Sequence, residues 1–336
     1  MKLGSPGFIV KLVIATSALT LLLIAAMAAG VCLGSTQSSL QQIFLALVDP
    51  SQKEALLHTI VWQLRVPRVL LAAAVGATLS LGGLVFQAIL RNPLAEPYIL
   101  GISGGSAIGA IAGILMGFSR FPGVTFTAFS GSLATLLLIL MMTSGRSMMK
   151  ASSLLLSGVM VNSFCSAVIM FLVSLTQDDR LHNIIFWLMG DLSQGNLRQA
   201  GVMAAILTPG VLIVFRYANA MNLFLMGRDI AKTMGVNIRA VTLTLLAVTS
   251  LMVSATVSYC GLIGFVGLVI PHILRLILGP DHRILAPACV LGGAGFMVFC
   301  DILARTLPAH GEMPVGVITA MIGAPLFILL LKRSGR

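Results

Sequence analysis

Few side chains in this sequence could do chemistry, and those few are widely spaced. Asp301 and Arg305 stand four residues apart in one apolar segment, at the spacing of an ion pair on a helix face. His272 and Arg275 lie near the end of another apolar segment. There is no HExxH motif and no pair of His residues at the spacing of metal ligands. These residues therefore predict structural ion pairs rather than a catalytic or metal centre.

Two energy-coupling devices are also absent from the sequence. It contains no Gly-x-x-x-x-Gly-Lys-Ser/Thr loop that could hold nucleotide phosphates. No series of Asp, Glu or His runs deep through its apolar segments, as proton-coupled or sodium-coupled carriers require. If this protein moves a substrate, the energy must come from a separate ATPase, and the chain itself is not an enzyme.

Ten apolar segments, each close to the length of a membrane span, must position these side chains. A hydrocarbon core about 30 Å thick takes about 20 helical residues. With 58% hydrophobic and 9% charged residues, the chain is predicted to be an all-α polytopic membrane protein, a single transmembrane domain over residues 1–336. The predicted spans are about 12–33, 69–90, 98–118, 123–143, 153–175, 199–215, 240–258, 261–278, 284–303 and 314–331.

The net charge of +11 follows membrane orientation rather than nucleic-acid binding. With the N-terminus inside, 14 of the 21 Lys and Arg residues fall on the inner side, as expected for cytoplasmic loops. This distribution predicts that both termini are cytoplasmic. The five Cys residues form no CxxC motif and lie within or at the ends of apolar segments, so they are interpreted as small packing residues.

Three local patterns occur within or between the predicted spans. Residues Asn183–Leu192 (NIIFWLMGDL) are too short to cross and predict a re-entrant or outer-surface helix after the fifth span. Glycine at every fourth position in the third span, from Gly101 to Gly117, predicts a groove for close helix packing. The segments Gly83–Arg91 and Gly267–Arg275 match at six of nine places, which indicates either an internal repeat or chance similarity.

The longest inner loop, between the sixth and seventh spans, is Tyr217–Arg239. Gly227 and Gly235 divide it into two short helices with both apolar and polar faces. Such a pair suits a groove on a cytoplasmic partner. A helix lying on the lipid headgroups would show the same pattern.

From about residue 60 to its end, the chain resembles the permease subunits of ATP-binding-cassette importers for iron-siderophores, haem and vitamin B12, the FecCD type. The first span is generic. The motifs that carry the resemblance are Arg65-Val66-Pro67-Arg68, Arg91-Asn92-Pro93-Leu94-Ala95-Glu96-Pro97, Trp187-Leu188-Met189-Gly190, Met234-Gly235-Val236, Gly261 to His272 (GLIGFVGLVIPH), Gly279-Pro280-Asp281-His282-Arg283, Asp301-Ile302-Leu303-Ala304-Arg305 and Glu312-Met313-Pro314-Val315-Gly316.

The resemblance implies a complex in the bacterial inner membrane. It implies ten helices per subunit and a second permease subunit, either an identical copy or a paralogue. Two cytoplasmic ABC ATPases, which bind the ATP and Mg, and a periplasmic or lipid-anchored substrate-binding protein would complete it. No cofactor or metal is expected on this chain, and its surroundings are membrane lipid, without nucleic acid.

The resemblance also implies three sets of site residues. Arg65, Arg68 and Arg305 would receive acidic residues of the binding protein, although helix-end positions near headgroups, or pairing of Arg305 with Asp301, would also explain them. A cytoplasmic gate, or an ordinary inner loop, would comprise Asn92, Pro93, Leu94, Ser152 and Ser153. The ATPase-coupling residues would be Gly227, Arg228, Asp229, Ala231, Lys232 and Gly235.

The substrate implied by the family is a bulky metal chelate. A ferric siderophore or haem is the first expectation, and cobalamin is the alternative. An ion-coupled secondary carrier and a purely structural or regulatory membrane subunit are more distant alternatives. His272 and His282 are interpreted as structural residues on the inner side, whereas His310, beside Glu312 on the outer side, could contact a ligand.

Overall fold

The computed structural model describes residues 6–34, 41–43, 56–142, 151–176, 178–308 and 311–334, and these residues form helices joined by turns. A one-turn helix, Leu56–Thr59, and a π-helical segment, Ile60–Arg65, run directly into the second long helix. The helices are α1 Pro6–Cys32, α2 Val66–Leu90, α3 Ile102–Leu115, α4 Thr125–Met142, α5 Ala151–Ser174, α6 Asp178–Met189, α7 Leu197–Arg216, α8 Ala218–Met226, α9 Arg228–Thr233, α10 Ile238–Cys260, α11 Val266–Leu278, α12 His282–Thr306 and α13 Val315–Ser334.

The described residues contain seven helices that are long and apolar enough to cross a membrane. Three shorter apolar helices, Ile102–Leu115, Val266–Leu278 and Val315–Leu330, coincide with the remaining predicted spans. An all-helical, polytopic architecture is therefore confirmed, while the count of ten crossings stays a prediction. Thr143, the predicted end of the fourth span, lies outside the described residues.

Helix α2 is the central element of the bundle. Between Pro67 and Leu90 almost every side chain is buried, including Phe86 and Leu84 at 0% exposure. α7, α10, α11 and α12 all pack against it. Helix α1 has the opposite character: its side chains are largely exposed, and it packs mainly on α12. One helix thus organises the core, and another forms a membrane-facing edge.

Glycine pairs allow α2 to approach its neighbours at backbone distance. A Cβ atom on Gly76 would lie 2.1 Å from the carbonyl oxygen of Gly293 in α12. A Cβ atom on Gly83 would lie 1.8 Å from the carbonyl oxygen of Gly267 in α11. Small residues drive this kind of packing in membranes, because close backbone contact replaces the hydrophobic force that lipid does not supply.

The glycine series in the third predicted span also forms a packing face. Gly105, Gly109 and Gly113 lie against α4, where a Cβ atom on Gly109 would be 2.1 Å from the carbonyl oxygen of Thr127. Gly101 precedes α3 and Gly117 follows it, and their φ values of +67° and +77° are incompatible with a right-handed helix. The predicted groove is confirmed for the middle of the series.

Helix α6 corresponds to the short segment predicted after the fifth span. It begins earlier than predicted, at Asp178, and ends at Met189, because Gly190 adopts φ +76°. The backbone then turns, with the N–H of Asp191 donating to the carbonyl of Cys260 at the end of α10. Trp187 is buried within the chain. The predicted segment is therefore a helix followed by a fixed turn rather than a helix throughout.

Candidate functional sites

The inner loop between α7 and α10 forms two short helices, α8 and α9, as the sequence predicts. Gly227 separates them with φ +124°, and Gly235 ends the pair with φ +82°. At both positions a side chain would strain the backbone, and neither glycine has an atom within 4 Å of the place where a Cβ would stand. The glycines are therefore required by backbone conformation, not by packing.

The same helix pair has a buried face and an exposed apolar face. Met221, Phe224 and Ala231 are buried against the bundle. Asp229 and Lys232 are exposed, and a patch of exposed apolar side chains lies beside them in the sequence. This patch, called the coupling patch below, consists of Leu225, Met226, Ile230 and Met234. Exposed apolar groups of this kind mark a surface that another protein or a membrane covers.

Helix α8 is connected to the turn between α11 and α12. The side-chain amide of Asn222 donates to Asp281 over 2.8 Å, and its oxygen accepts the backbone N–H of His282 over 2.8 Å. Burial alone would raise the pKa of Asp281, but hydrogen bonds from Arg283 and Asn222 lower it to about 2. Asp281 is thus a carboxylate that ties the coupling helices to the inner ends of two long helices.

Arg228 connects α9 to the inner end of α2. Its Nη2 lies 3.4 Å from the carbonyl oxygen of Ile89, one of the last carbonyls of that helix. Burial and the neighbouring Arg91 guanidinium lower the pKa of Arg228. A cation at a helix C-terminus interacts favourably with the free carbonyl groups there. A movement of α9 would therefore be transmitted to the end of α2 through Arg228.

The predicted gate residues 92–94 follow immediately on that helix end. Arg91 adopts φ 50°, which ends α2, and the side-chain oxygen of Asn92 accepts the N–H of Leu94 over 2.9 Å. Leu94 is 46% exposed. Asn92 therefore forms the local hydrogen-bonded turn that Asn favours, and this turn presents Pro93 and Leu94 to solvent.

Ser152 and Ser153 lie in the first turn of α5, where Ser152 is exposed and Ser153 is half-buried. The structure connects the two parts of the predicted gate through backbone packing rather than through the serines. A Cβ atom on Gly158 of α5 would lie 1.9 Å from the carbonyl oxygen of Ile99, in the segment that follows the Asn92 turn.

Residues 96–98 form a contact that the sequence did not predict. The Tyr98 hydroxyl donates to the carbonyl of Ile263 over 2.9 Å and accepts the N–H of Ile263 over 3.2 Å. Glu96 accepts the N–H of Phe265 over 3.1 Å. The predicted eighth span, 261–278, begins instead at Val266, because residues 261–265 are not helical and Phe265 adopts φ 68°. Non-helical backbone inside a membrane protein requires such partners.

Gln87 compensates for a second interruption of regular backbone hydrogen bonding. Pro271 has no N–H, so the carbonyl of Gly267 in the preceding turn of α11 lacks its usual donor. The Gln87 side-chain amide lies 3.3 Å from that oxygen, and its own oxygen accepts a 2.9 Å hydrogen bond from Arg275. In the alignment of the two similar segments, Gln87 corresponds to Pro271. In the sequence, Pro271 was the signal that the carbonyl group of Gly267 would need a hydrogen-bond donor from outside its own helix.

On the outer side, the three predicted docking arginines lie together around a cleft of about 190 Å³ that also contains Glu312. Each is only 5–6% exposed. Arg65 donates to the carbonyls of Val31 and Cys32 at the end of α1, over 2.9 and 3.1 Å. The arginines therefore hold the outer ends of the helices together, whatever else they contact.

Asp301 is the centre of this outer cluster. It is 0% exposed and lies 2.8 Å from Arg68 and 3.1 Å from Arg305. The ion pair predicted from the spacing of Asp301 and Arg305 is confirmed. Arg68 also pairs with Glu312, whose side chain is 37% exposed. Three cations and two anions leave the cluster with one net positive charge.

The structure describes two of the three His residues singled out in the sequence. His272 is buried in α11, 6.0 Å from the ring of Phe327, and neither ring nitrogen has a hydrogen-bond partner within the described part of the chain. His282 is buried, with Nδ1 2.8 Å from the Asn222 oxygen. Both positions fit structural roles. His310 lies outside the described residues.

Comparison with known proteins places this architecture in a family. Residues 21–333 match the FecCD transport family. The cobalamin import system permease protein BtuC of Halobacterium salinarum is 40% identical over 275 residues, which cover 82% of this chain and 74% of that protein. The vitamin B12 import system permease protein BtuC of Escherichia coli is 38% identical over 276 residues, covering 82% and 84%.

Two solved structures resemble the fold. An inward-facing metal-chelate type ABC transporter superposes with a TM-score of 0.85 and 32% identity, covering 95% of this chain and 98% of that one. PsaBC from Streptococcus pneumoniae, at 16% identity, shares the fold with a TM-score of 0.55 over 85% of this chain and 95% of that one.

The multiple apolar helices are those of a multi-pass membrane protein, and the comparisons identify it as a permease of the ABC importer class. Within that class, the chain belongs to the FecCD transport family.

Proposed function

We propose that this chain is the inner-membrane permease through which a binding-protein-dependent importer carries cobalamin. The observation that carries the proposal is its identity of 40% and 38% with two cobalamin permeases over 82% of its length. Two copies, or one copy and a paralogue, would enclose the pathway with both termini in the cytoplasm. ATP hydrolysis would take place on separate subunits that dock on the inner side.

The arrangement of the inner side supports this mechanism. The coupling patch offers a partner ATPase an apolar surface beside the charged residues Asp229 and Lys232. Arg228 connects that surface to the end of α2, where the turn formed by Asn92 begins. Through Glu96 and Tyr98 the same segment contacts the interruption before α11. Displacement of the coupling helices would thus reach both the gate turn and α11.

On the outer side, the arginine cluster is proposed to receive the binding protein. Arg65, Arg68 and Arg305 already form hydrogen bonds or ion pairs inside the chain. A binding protein would therefore have to replace one of these existing partners. Glu312 is the exposed member, and it pairs with Arg68. A carboxylate of the binding protein would take the place of Glu312 on Arg68, exchanging one charge-assisted hydrogen bond for another.

The substrate is tested by transport with purified components. The permease, its ATPase and its binding protein would be reconstituted in liposomes, with ATP inside, and supplied with cobalamin or with a ferric hydroxamate at equal concentration. We expect ATP-dependent uptake of cobalamin and none of the iron chelate. Uptake of the iron chelate alone would overturn the cobalamin assignment, and uptake without ATP would overturn the importer mechanism itself.

A ferric siderophore or haem is the second candidate substrate. It is favoured by the close superposition on a metal-chelate type transporter, with a TM-score of 0.85. The same assay separates the two candidates, since the cargo that accumulates is identified directly.

A further inference from the structure

A membrane-facing furrow runs along the edge of the bundle. α1 and α11 each pack against α12 without closing on one another, which leaves α12 as a floor between two walls. The furrow has a volume of about 550 Å³. Its walls are apolar, with Leu22 and Ala25 on α1 and Ile273 and Ile277 on α11.

Glycines give the furrow its depth. Gly292 and Gly295 of α12 form part of the floor. A Cβ atom on Gly295 would meet the Leu22 side chain at an ordinary contact distance of 3.6 Å, so a side chain at this position would not force α1 and α12 apart. This differs from Gly293, where a Cβ atom would lie 2.4 Å from the carbonyl oxygen of Gly76.

The inner end of the furrow opens beside a second cavity of about 760 Å³, called the mouth below, whose lining is mainly apolar but includes several polar and charged side chains. Ile277 lines the furrow, and the next residue, Leu278, lines the cavity together with Lys11, Asn222, Asp281 and Arg283. On α1, Lys11 precedes the first furrow residue, Leu19, by about 12 Å at 1.5 Å per residue. Along α11 the furrow extends from Ile277 to Ile270, about 10 Å of helix, which is within the depth of one leaflet, about 15 Å of hydrocarbon below a headgroup.

The charges at this mouth leave Lys11 without a counter-ion. Asp281 is held by Arg283 and Asn222 and is thereby neutralised. Lys11 is exposed, and no hydrogen bond or ion pair is found for it within the described residues. An anionic group is the partner that this site lacks.

We propose that the furrow binds one anionic phospholipid of the inner leaflet, with an acyl chain between α1 and α11 and the phosphate beside Lys11. The exposed apolar side chains of α1, such as Leu21 and Ile24, place this surface in hydrocarbon, where water does not fill an apolar furrow. Lys11 selects the charge of the headgroup. The site lies outside the residues proposed for gating and docking, and its mouth borders the coupling patch, because Leu225 and Met226 line the same cavity.

Native mass spectrometry of the full-length permease in detergent tests the site. The protein would be titrated with phosphatidylglycerol or with phosphatidylcholine of identical acyl chains. We expect phosphatidylglycerol to bind about fivefold more tightly, the factor given by one basic side chain near an anionic headgroup. Lys11→Gln should abolish this preference, while Arg216→Gln, at an exposed inner-side arginine that does not line the cavity, should leave it unchanged.

A second pair of variants tests the furrow itself. Ala25→Phe places a ring in the furrow and should reduce the binding of both lipids at least threefold. Ala28→Phe, at an exposed position of α1 outside the furrow, should not. Both positions are exposed, so folding is preserved, and size-exclusion chromatography would verify it.

Four results would overturn the proposal. The first is equal binding of the two lipids by the unaltered protein, and the second is equal behaviour of Lys11→Gln and Arg216→Gln. Inorganic phosphate that binds as well as phosphatidylglycerol would reveal an anion site without lipid recognition. Loss of the bound lipid when the ATPase is added would assign the mouth to a protein interface instead.

Discussion

At the scale of single residues, Tyr98 carries a connection that links two distant parts of the chain. Its hydroxyl both donates to and accepts from the backbone of Ile263, in the only non-helical stretch between α10 and α11 within the described residues. We expect Tyr98→Phe to leave one buried N–H and one carbonyl without partners, which costs about 1–3 kcal/mol. Thermal unfolding of the detergent-solubilised protein measures this loss.

Tyr217→Phe is the matched control for Tyr98→Phe. Tyr217 is half-buried at the junction of α7 and α8, and no hydrogen bond of its hydroxyl is found among the described residues. Its removal should change stability by less than about 0.5 kcal/mol. Equal effects of the two variants would show that the Tyr98 hydroxyl does not support the interruption.

Glu312 is the residue through which the outer cluster can be tested without damage to its interior. Charge reversal at Arg68 would remove one of the two arginines that pair with the buried Asp301 and place a second anion beside it, which would cost about 3–5 kcal/mol in folding. Glu312→Gln removes only an exposed competitor for Arg68. If a carboxylate of the binding protein takes that place, capture should tighten about fivefold and depend more strongly on salt.

The control for Glu312→Gln is Asp179→Asn, which removes one negative charge from another exposed outer position. Surface plasmon resonance with the permease in nanodiscs would compare the affinities of both variants for the binding protein. Tightening by Glu312→Gln alone supports exchange at Arg68. Equal tightening by both variants would indicate a general field effect and would refute a local contact.

At the scale of helices, glycine pairs fix the crossings of α2. Gly76→Ala would place a Cβ atom 2.1 Å from the Gly293 carbonyl and 2.4 Å from the Met297 Cβ, so the helices would have to separate. Overpacking of this kind typically costs 1–3 kcal/mol, and a contact with backbone lies at the upper end of that range. We expect a loss of about 3 kcal/mol, seen as a lower melting temperature.

Gly201→Ala is the corresponding control in α7. A Cβ atom at Gly201 would meet nothing within 4 Å, and alanine favours a helix more than glycine does. This variant should be neutral or slightly stabilising. A Gly76→Ala protein as stable as Gly201→Ala would contradict the close crossing of α2 and α12.

The sequence predicted those elements whose signals are local. Gly227 and Gly235 mark the ends of α8 and α9 because a positive φ requires glycine at those positions. The start of α11 was predicted wrongly, five residues too early, because residues 261–265 are as apolar as a span. What interrupts the helix there is a set of partners more than 160 residues away, Glu96 and Tyr98, and no local pattern contains them.

The outer cluster shows a similar limit. The four-residue spacing of Asp301 and Arg305 predicted their ion pair, which is an interaction within one helix. Arg68 reaches the same carboxylate from another helix, across 233 residues of sequence. The sequence alone identifies the charged residues but does not show which of them are already paired within the fold. The sequence therefore predicted the pairing of Arg305 but gave no sign of the contacts of Arg65 and Arg68 inside the chain.

At the scale of the whole molecule, the two ends of the bundle present different surfaces. The outer end is a closed ionic cluster with one exposed carboxylate, and the inner end carries an exposed apolar patch. An importer driven by a cytoplasmic ATPase needs its apolar docking surface on the inner side, and the coupling patch is the described surface that meets this need.

Ile230 lies in the middle of that patch and offers the most direct test of assembly. It is 48% exposed in this chain, and burial under a partner would make it part of an apolar interface core. Ile230→Asp would bury an unpaired charge there. Central interface residues cost about 2 kcal/mol or more when lost, so the ATPase should bind about 30-fold more weakly. Affinity for the purified ATPase and the transport rate in proteoliposomes should fall together.

Ile230→Leu keeps the apolar character at nearly the same volume and should retain binding within about threefold. Because Ile230 is exposed, neither substitution disturbs the core, and the melting temperature of the isolated permease should be unchanged in both. If Ile230→Asp assembles and transports as well as Ile230→Leu, the ATPase does not dock on this patch. The apolar face of α8 and α9 would then lie on the lipid headgroups, the alternative that its sequence pattern also allows.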